Sequence, residues 1–257
     1  MKKTPYVVDE YILLIHNICT YLIHIGRDKM YKYGVELFPK CVLTPVTLGE
    51  LRASIAEVQD VFDELHYLAH GSAIDSDTDR DSRLERCRLW PQLAYVWKYA
   101  EQGIYSDDAI PSDPDAFFSD AATLLSAING YNAYQGETVG QAIIKVIIKF
   151  CARIKLDFNS NFETALNSPF GDAVTLQCAW FPQVAMKDLT LLELALLAGM
   201  TNMRSVRNAQ YVEDEGLNFY KDGTKVLVTV ADARTWLAGR TGFVSSTNLP
   251  TADSVVY

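Results

Sequence analysis

The stretch Asp188-Leu189-Thr190-Leu191-Leu192-Glu193-Leu194-Ala195-Leu196-Leu197-Ala198-Gly199 opens with a helix-start signal and ends with a helix-stop signal. Thr190 can accept from the backbone of Glu193, and Glu193 can reach back to the NH of Thr190, so the pair reads as a capping box. Leu191, Leu194, Ala195, Leu197 and Ala198 are apolar or small at helical spacing. Gly199 then stands where a tight turn into a second helix needs a residue that tolerates positive φ. Thr201 or Asn202 can cap that second helix, which the pattern predicts over Met203 to Tyr211. Met203, Val206 and Ala209 fall three apart and are expected to face inward. Arg204, Arg207, Asn208 and Tyr211 fall at i, i+3, i+4 and i+7 on the other side.

That outer face carries groups suited to a DNA major groove. Arginine presents a donor fork to guanine O6 and N7, asparagine pairs bidentately with the adenine edge, and serine and tyrosine hydroxyls suit phosphate. A hairpin signal follows. Leu217 to Tyr220 is a candidate first strand, Asp222-Gly223 suits a two-residue type I′ turn, and Val226 to Val230 is rich in β-branched residues. Lys221 and Lys225 flank the tip, where their charges would meet phosphates. Thr229 and Asp232 have capping spacing for a last short helix, with Trp236 and Leu237 as its apolar weight and Gly239 as its end. Trp236 and Phe243 are expected to pack under the hairpin.

This order of helix, Gly turn, Arg-bearing helix, two-stranded wing and short Trp-Leu helix resembles the winged helix-turn-helix of MerR-type regulators and phage excisionases. The resemblance covers about a quarter of the chain. MerR-type regulators carry the module at the N-terminus, whereas here it is near the C-terminus. The resemblance implies that the helix matching Met203 to Tyr211 enters the major groove and that the wing contacts backbone. Arg204, Arg207 and Asn208 are then the base-contacting candidates. Ser205, Tyr211, Lys221 and Lys225 are the backbone-contacting ones.

Working outward, the expected fold class is mainly α. A helical N-terminal domain spans residues 1–168, a linker 169–186, the winged helix-turn-helix 187–245 and a tail 246–257. The 257 residues suffice for two domains, and 49% hydrophobic with 21% charged residues suits a soluble globular chain. The formal net charge is −9. Residues 187–244 carry seven Lys/Arg and seven Asp/Glu, so 16 basic against 25 acidic residues elsewhere account for the whole excess. A neutral module on an acidic body binds DNA non-specifically only weakly, so any DNA binding should rest on a specific site, dimerisation or a partner.

Five widely spaced cysteines (Cys19, Cys41, Cys87, Cys151, Cys178) without a Cys-x-x-Cys pair suit a reducing cytoplasm. His66 and His70 stand at i, i+4, but Tyr67 occupies the position where a zinc-protease helix needs Glu, so a helix face is the expected reading and no metal is assigned. Asp75 to Asp81 has acidic alternation, yet Arg80 and Arg86 replace the glycine and glutamate of a calcium loop, and Asp79 replaces the threonine of a phosphotransferase motif. A solvated loop is expected. No nucleophile–base pair, phosphate loop or cofactor motif stands out, so no enzyme activity and no cofactor are assigned.

Earlier in the chain, Val8 to Tyr31 reads as an apolar helix too interrupted to span a membrane and suited to a core or homodimer interface. Thr47-Leu48-Gly49-Glu50 is another capping box, opening a helix to about Ala69 that Gly71 ends. Helical patterns follow over Leu84 to Tyr105, kinked or restarted at Pro91, and from Pro114 to about Ile128. A polar loop is expected over Asn129 to Gly136, then a helix opened by Thr138 to Gln141 with Ile143, Ile147, Phe150 and Ile154 inward. Lys145, Lys149 and Arg153 repeat every four residues, as a solvated face or, less favoured, a DNA-backbone contact. The leading expectation is a cytoplasmic, sequence-specific regulator of transcription, of bacterial or phage type, that binds double-stranded DNA as a homodimer. The alternative is an assembly protein that uses the winged helix for docking, with the acidic helical domain as a partner surface.

Overall fold

The structure, a computed structural model, describes residues 37, 41–71, 80–85, 87–106, 113–135, 138–158, 180–185, 187–211 and 216–249. The apolar helix expected over Val8 to Tyr31, all but the ends of the acidic loop, most of the linker and the end of the tail lie outside these residues. The described chain is mainly helical, with a small three-stranded antiparallel sheet near the C-terminus. Its helices are α1 Leu48–His70, α2 Arg80–Glu85, α3 Trp90–Gln102, α4 Pro114–Gln135, α5 Gln141–Phe158, α6 Leu191–Leu197, α7 Met203–Asn208 and α8 Val230–Ala238. The strands are β1 Leu189–Thr190, β2 Tyr220–Asp222 and β3 Lys225–Val228, in the order β1-β3-β2.

The capping signals explain most boundaries. Thr47 and Glu50 form both bonds of a capping box at the start of α1, and Gly71 ends it at φ 68°. Pro91 restarts the chain as α3 rather than kinking a longer helix, since proline needs no NH partner in a first turn. Asp113 accepts from Ala116 N at 3.0 Å to open α4. The expected loop from Asn129 is instead the last part of α4, which runs to Gln135. Buried Asn132 donates to Val139 O at 2.9 Å and accepts from Val139 N at 3.0 Å, so a polar residue that suggested a loop closes the entry to α5 from within a helix.

Helix α5 is the axis of the molecule. Ile143, Ile147, Phe150 and Ile154 are buried as expected, but so are Lys149, Arg153 and Lys155. The solvated basic stripe is therefore corrected. Helices α1, α3, α6 and α8 pack around α5, leaving it no free side along most of its length, and its cations find partners in the protein, with only Lys145 bonding at the surface. Lys149 pairs with Glu101 of α3 at 2.7 Å, and Lys145 donates to Val42 O and Thr44 O. Burial pushes the Lys149 ammonium below its ordinary value, against the opposing pull of Glu101.

The hydrophobic core is continuous from α1 and α3 through α5 into α6, β3 and α8. Lys155 of α5 and Glu193 of α6, both with no exposed side-chain surface, form an ion pair, and Arg234 of α8 donates to Leu156 O. Helices α6 and α8 thus rest directly on α5, and the sheet and α7 pack on α6. Among the described residues no helix is long and apolar enough to cross a membrane.

Candidate nucleic-acid interface

Helix α6 supports the site. Thr190 Oγ1 accepts from Glu193 N at 3.2 Å, and Glu193 Oε2 accepts from Thr190 N at 2.8 Å, so the expected capping box is present. All seven residues of α6 are buried. Gly199 turns the chain at φ 63°, where an added Cβ would lie 3.1 Å from Gly242 O and 3.5 Å from Pro45 Cγ. Glycine is therefore needed twice over, for its backbone conformation and for the space beside it. Leu43 N donates to Thr201 O at 3.0 Å, pinning the turn from the N-terminal side. Asn202, one of the two cap candidates, then accepts from Arg204 N and Ser205 N.

Helix α7 runs over six residues and continues as a 3-10 turn, Ala209–Tyr211. Val206 and Ala209 are buried against the core, as expected. Met203 is not: it is 43% exposed, because it occupies the first helical position and stands at the edge of the contact with α6. Arg204, Ser205, Arg207 and Asn208 are all exposed, and Tyr211 is 76% exposed. Two guanidinium forks, a carboxamide and two hydroxyls therefore share one open surface. Such a set can donate to and accept from base edges and phosphates.

The hairpin differs in register from expectation. Asp222 pairs with Lys225, so the two loop residues are Gly223 and Thr224, and strand β2 begins at Tyr220 rather than Leu217. Gly223 has φ 57°, whereas among the described residues the only non-glycine with positive φ is Asn248. Glycine at the first loop position with an ordinary residue after it suits a type II′ connection, which corrects the expected type I′ turn. The hairpin also gains a third strand, since Leu189 pairs with Val228 and Thr190 with Leu227. Lys221 is exposed. Lys225 is half-buried and donates to Val184 O at 2.9 Å, so its ammonium is engaged within the protein. Both α7 and β3 contact α6, which serves as their common base.

Two carboxylates hold this unit together, Glu193, expected from the sequence as a cap, and Asp188, which no sequence signal marked. Asp188 accepts from the Tyr220 hydroxyl and, at 3.3 Å, from Val230 N, joining the residue before β1 to β2 and α8. The Tyr220 phenol is pushed up to about 12 by partial burial and by this bond to Asp188. Glu193 caps α6 while its other oxygen meets Lys155. The capping box was the signal that identified Glu193, but its second role depends on a partner 38 residues away. Trp236 is buried, with the Arg240 guanidinium 4.5 Å from its ring centroid. Phe243 lies against Arg153 of α5, at 5.8 Å.

No group of three or more metal-ligating side chains is found among the described residues. Cys41, Cys87 and Cys151 are in no disulfide, and burial raises the Cys41 and Cys87 thiols above their ordinary values. The chain matches no family model, no curated protein and no solved structure.

Proposed function

We propose that residues 187–245 form a winged helix-turn-helix and that the protein is a sequence-specific DNA-binding regulator of transcription. The observation that carries this reading is the exposure of Arg204, Ser205, Arg207, Asn208 and Tyr211 together on one capped helix. Arg204, Arg207 and Asn208 read base edges, while Ser205, Tyr211 and Lys221 hold phosphates. Lys225 is assigned a supporting part at most, because its ammonium already bonds to Val184 O. With −9 overall and neutrality in this unit, non-specific binding is weak, and a homodimer on a two-fold site supplies the affinity.

A second reading is a docking module for another protein. Met203, 43% exposed at the start of α7, and Tyr211, 76% exposed in the 3-10 turn that follows it, favour it, because exposed apolar and aromatic side chains suit a protein interface. Selection of bound sequences from a random duplex pool, with an Arg204→Ala/Arg207→Ala variant in parallel, separates the two. An enriched motif that the variant loses supports the regulator reading and reports the half-site spacing. A folded protein with no enrichment refutes that reading in favour of docking.

A further inference from the structure

After α8 the described residues turn back over the molecule. Residues 242–249 run back across the junction between α6 and α7 and onto α3 and α5. Gly242 lies so close to the end of α6 that an added Cβ would be 2.3 Å from Ala198 O, with Gly199 Cα at 3.6 Å. Further along, Val244 O and Ser246 Oγ accept from the buried Arg153 guanidinium at 2.9 and 2.8 Å. Ser246 also donates to Asp157, which takes a second bond from Tyr99 at 2.6 Å. Thr247 N donates to Gly103 O at 2.8 Å, and Tyr105 N donates to Thr247 O at 3.1 Å. Beneath this stretch a Cβ on Gly103 would come 2.6 Å from Ser245 O.

We infer that residues 242–249 are a strap whose docking on α3 and α5 holds the turn before α7 in place, so that the state of the helical body reaches the exposed face of α7. Two glycines, Gly242 at the start of the strap and Gly103 beneath Ser245, let backbones touch for want of a side chain. Arg153 is the side-chain anchor, bonding on either side of Ser245. Its guanidinium is buried, it also donates to Ala100 O, and it lies 5.8 Å from the ring centroids of both Tyr99 and Phe243. Arg153 is thus a positioning residue for α7, acting through Val244, Ser246 and Gly242. On the opposite side Pro45 and the Leu43–Thr201 hydrogen bond close the clamp on the turn.

The coupling holds whatever α7 binds, and amide hydrogen exchange on the full chain reads it without any ligand. Gly103→Ala and Gly71→Ala make a matched pair. Both glycines end a helix at φ 68°, but Gly71 has nothing within 4 Å of an added Cβ. Gly71→Ala therefore reports backbone strain alone. In Gly103→Ala the amides of Tyr105 and Thr247 should exchange about tenfold faster or more, and those of Gly199 and Met200 should rise with them. In Gly71→Ala both sets should stay as in the unaltered protein. Should Gly103→Ala not fold, Thr247→Pro removes the donor to Gly103 O and is read from the amides of Tyr105, Gly199 and Met200. The inference is overturned if the strap amides stay protected, if they loosen while Gly199 and Met200 do not, or if Gly71→Ala raises Gly199 and Met200 equally. Loss of DNA selection plays no part in this readout, so the two proposals fail separately.

Discussion

Lys155 and Glu193 show what one buried pair demands. Both side chains have no exposed surface, and their mutual attraction offsets a desolvation cost that either charge alone would leave unmet. Lys155→Met should therefore destabilise the fold by about 3–5 kcal/mol, and adding Glu193→Gln should recover part of the loss, as urea unfolding of the single and double variants will report. Tyr220 supplies a pH test. Its folded pKa of about 12 lies above the ordinary 10.0, so the unfolded chain ionises first as pH rises. The contribution of Tyr220 is full below pH 10.0 and is lost as pH climbs toward about 12. The unaltered protein should thus lose stability faster over that window than Tyr220→Phe, in thermal melts taken at successive pH values.

Short elements here depend on their ends. Helix α7 has six residues, too few to persist without a cap and a packed face. Asn202→Ala removes the acceptor for Arg204 N and Ser205 N and should cost about 1 kcal/mol, seen as faster exchange of those two amides. In α6 the Thr190 hydroxyl accepts from Glu193 N and contacts Gln183 O at 3.1 Å in a buried setting. Thr190→Ala should accordingly cost about 1–2 kcal/mol in denaturant unfolding. Caps and helix-ending glycines were the parts of these elements most legible in sequence, because each is a local hydrogen bond or a local backbone angle. Strand register was less legible. The hairpin slid by one loop residue because Gly223 fits the first position of its turn and because β1 pairs on the far side of β3, a partner more than 30 residues distant in the chain.

Across the whole molecule, the core runs without interruption from α1 through α5 to α8. Trp97 of α3, whose indole donates to Val46 O, and Trp236 of α8 report on different elements packed into this core. Their fluorescence should report coincident urea transitions in single-tryptophan variants, whereas separable domains would show two midpoints. By itself the sequence determined the helical class, the positions of the capped helices, the two-helix turn at Gly199 and the outward set Arg204, Ser205, Arg207, Asn208 and Tyr211, because these follow from periodicity and from bonds spanning a few residues. Only the tertiary structure decided that Lys149, Arg153 and Lys155 are interior, that Lys225 is engaged by Val184 O, and that the chain after α8 returns to Gly103. Burial of a cation depends on a carboxylate or carbonyl supplied from another element, and no local pattern records where that partner will be once the chain has packed.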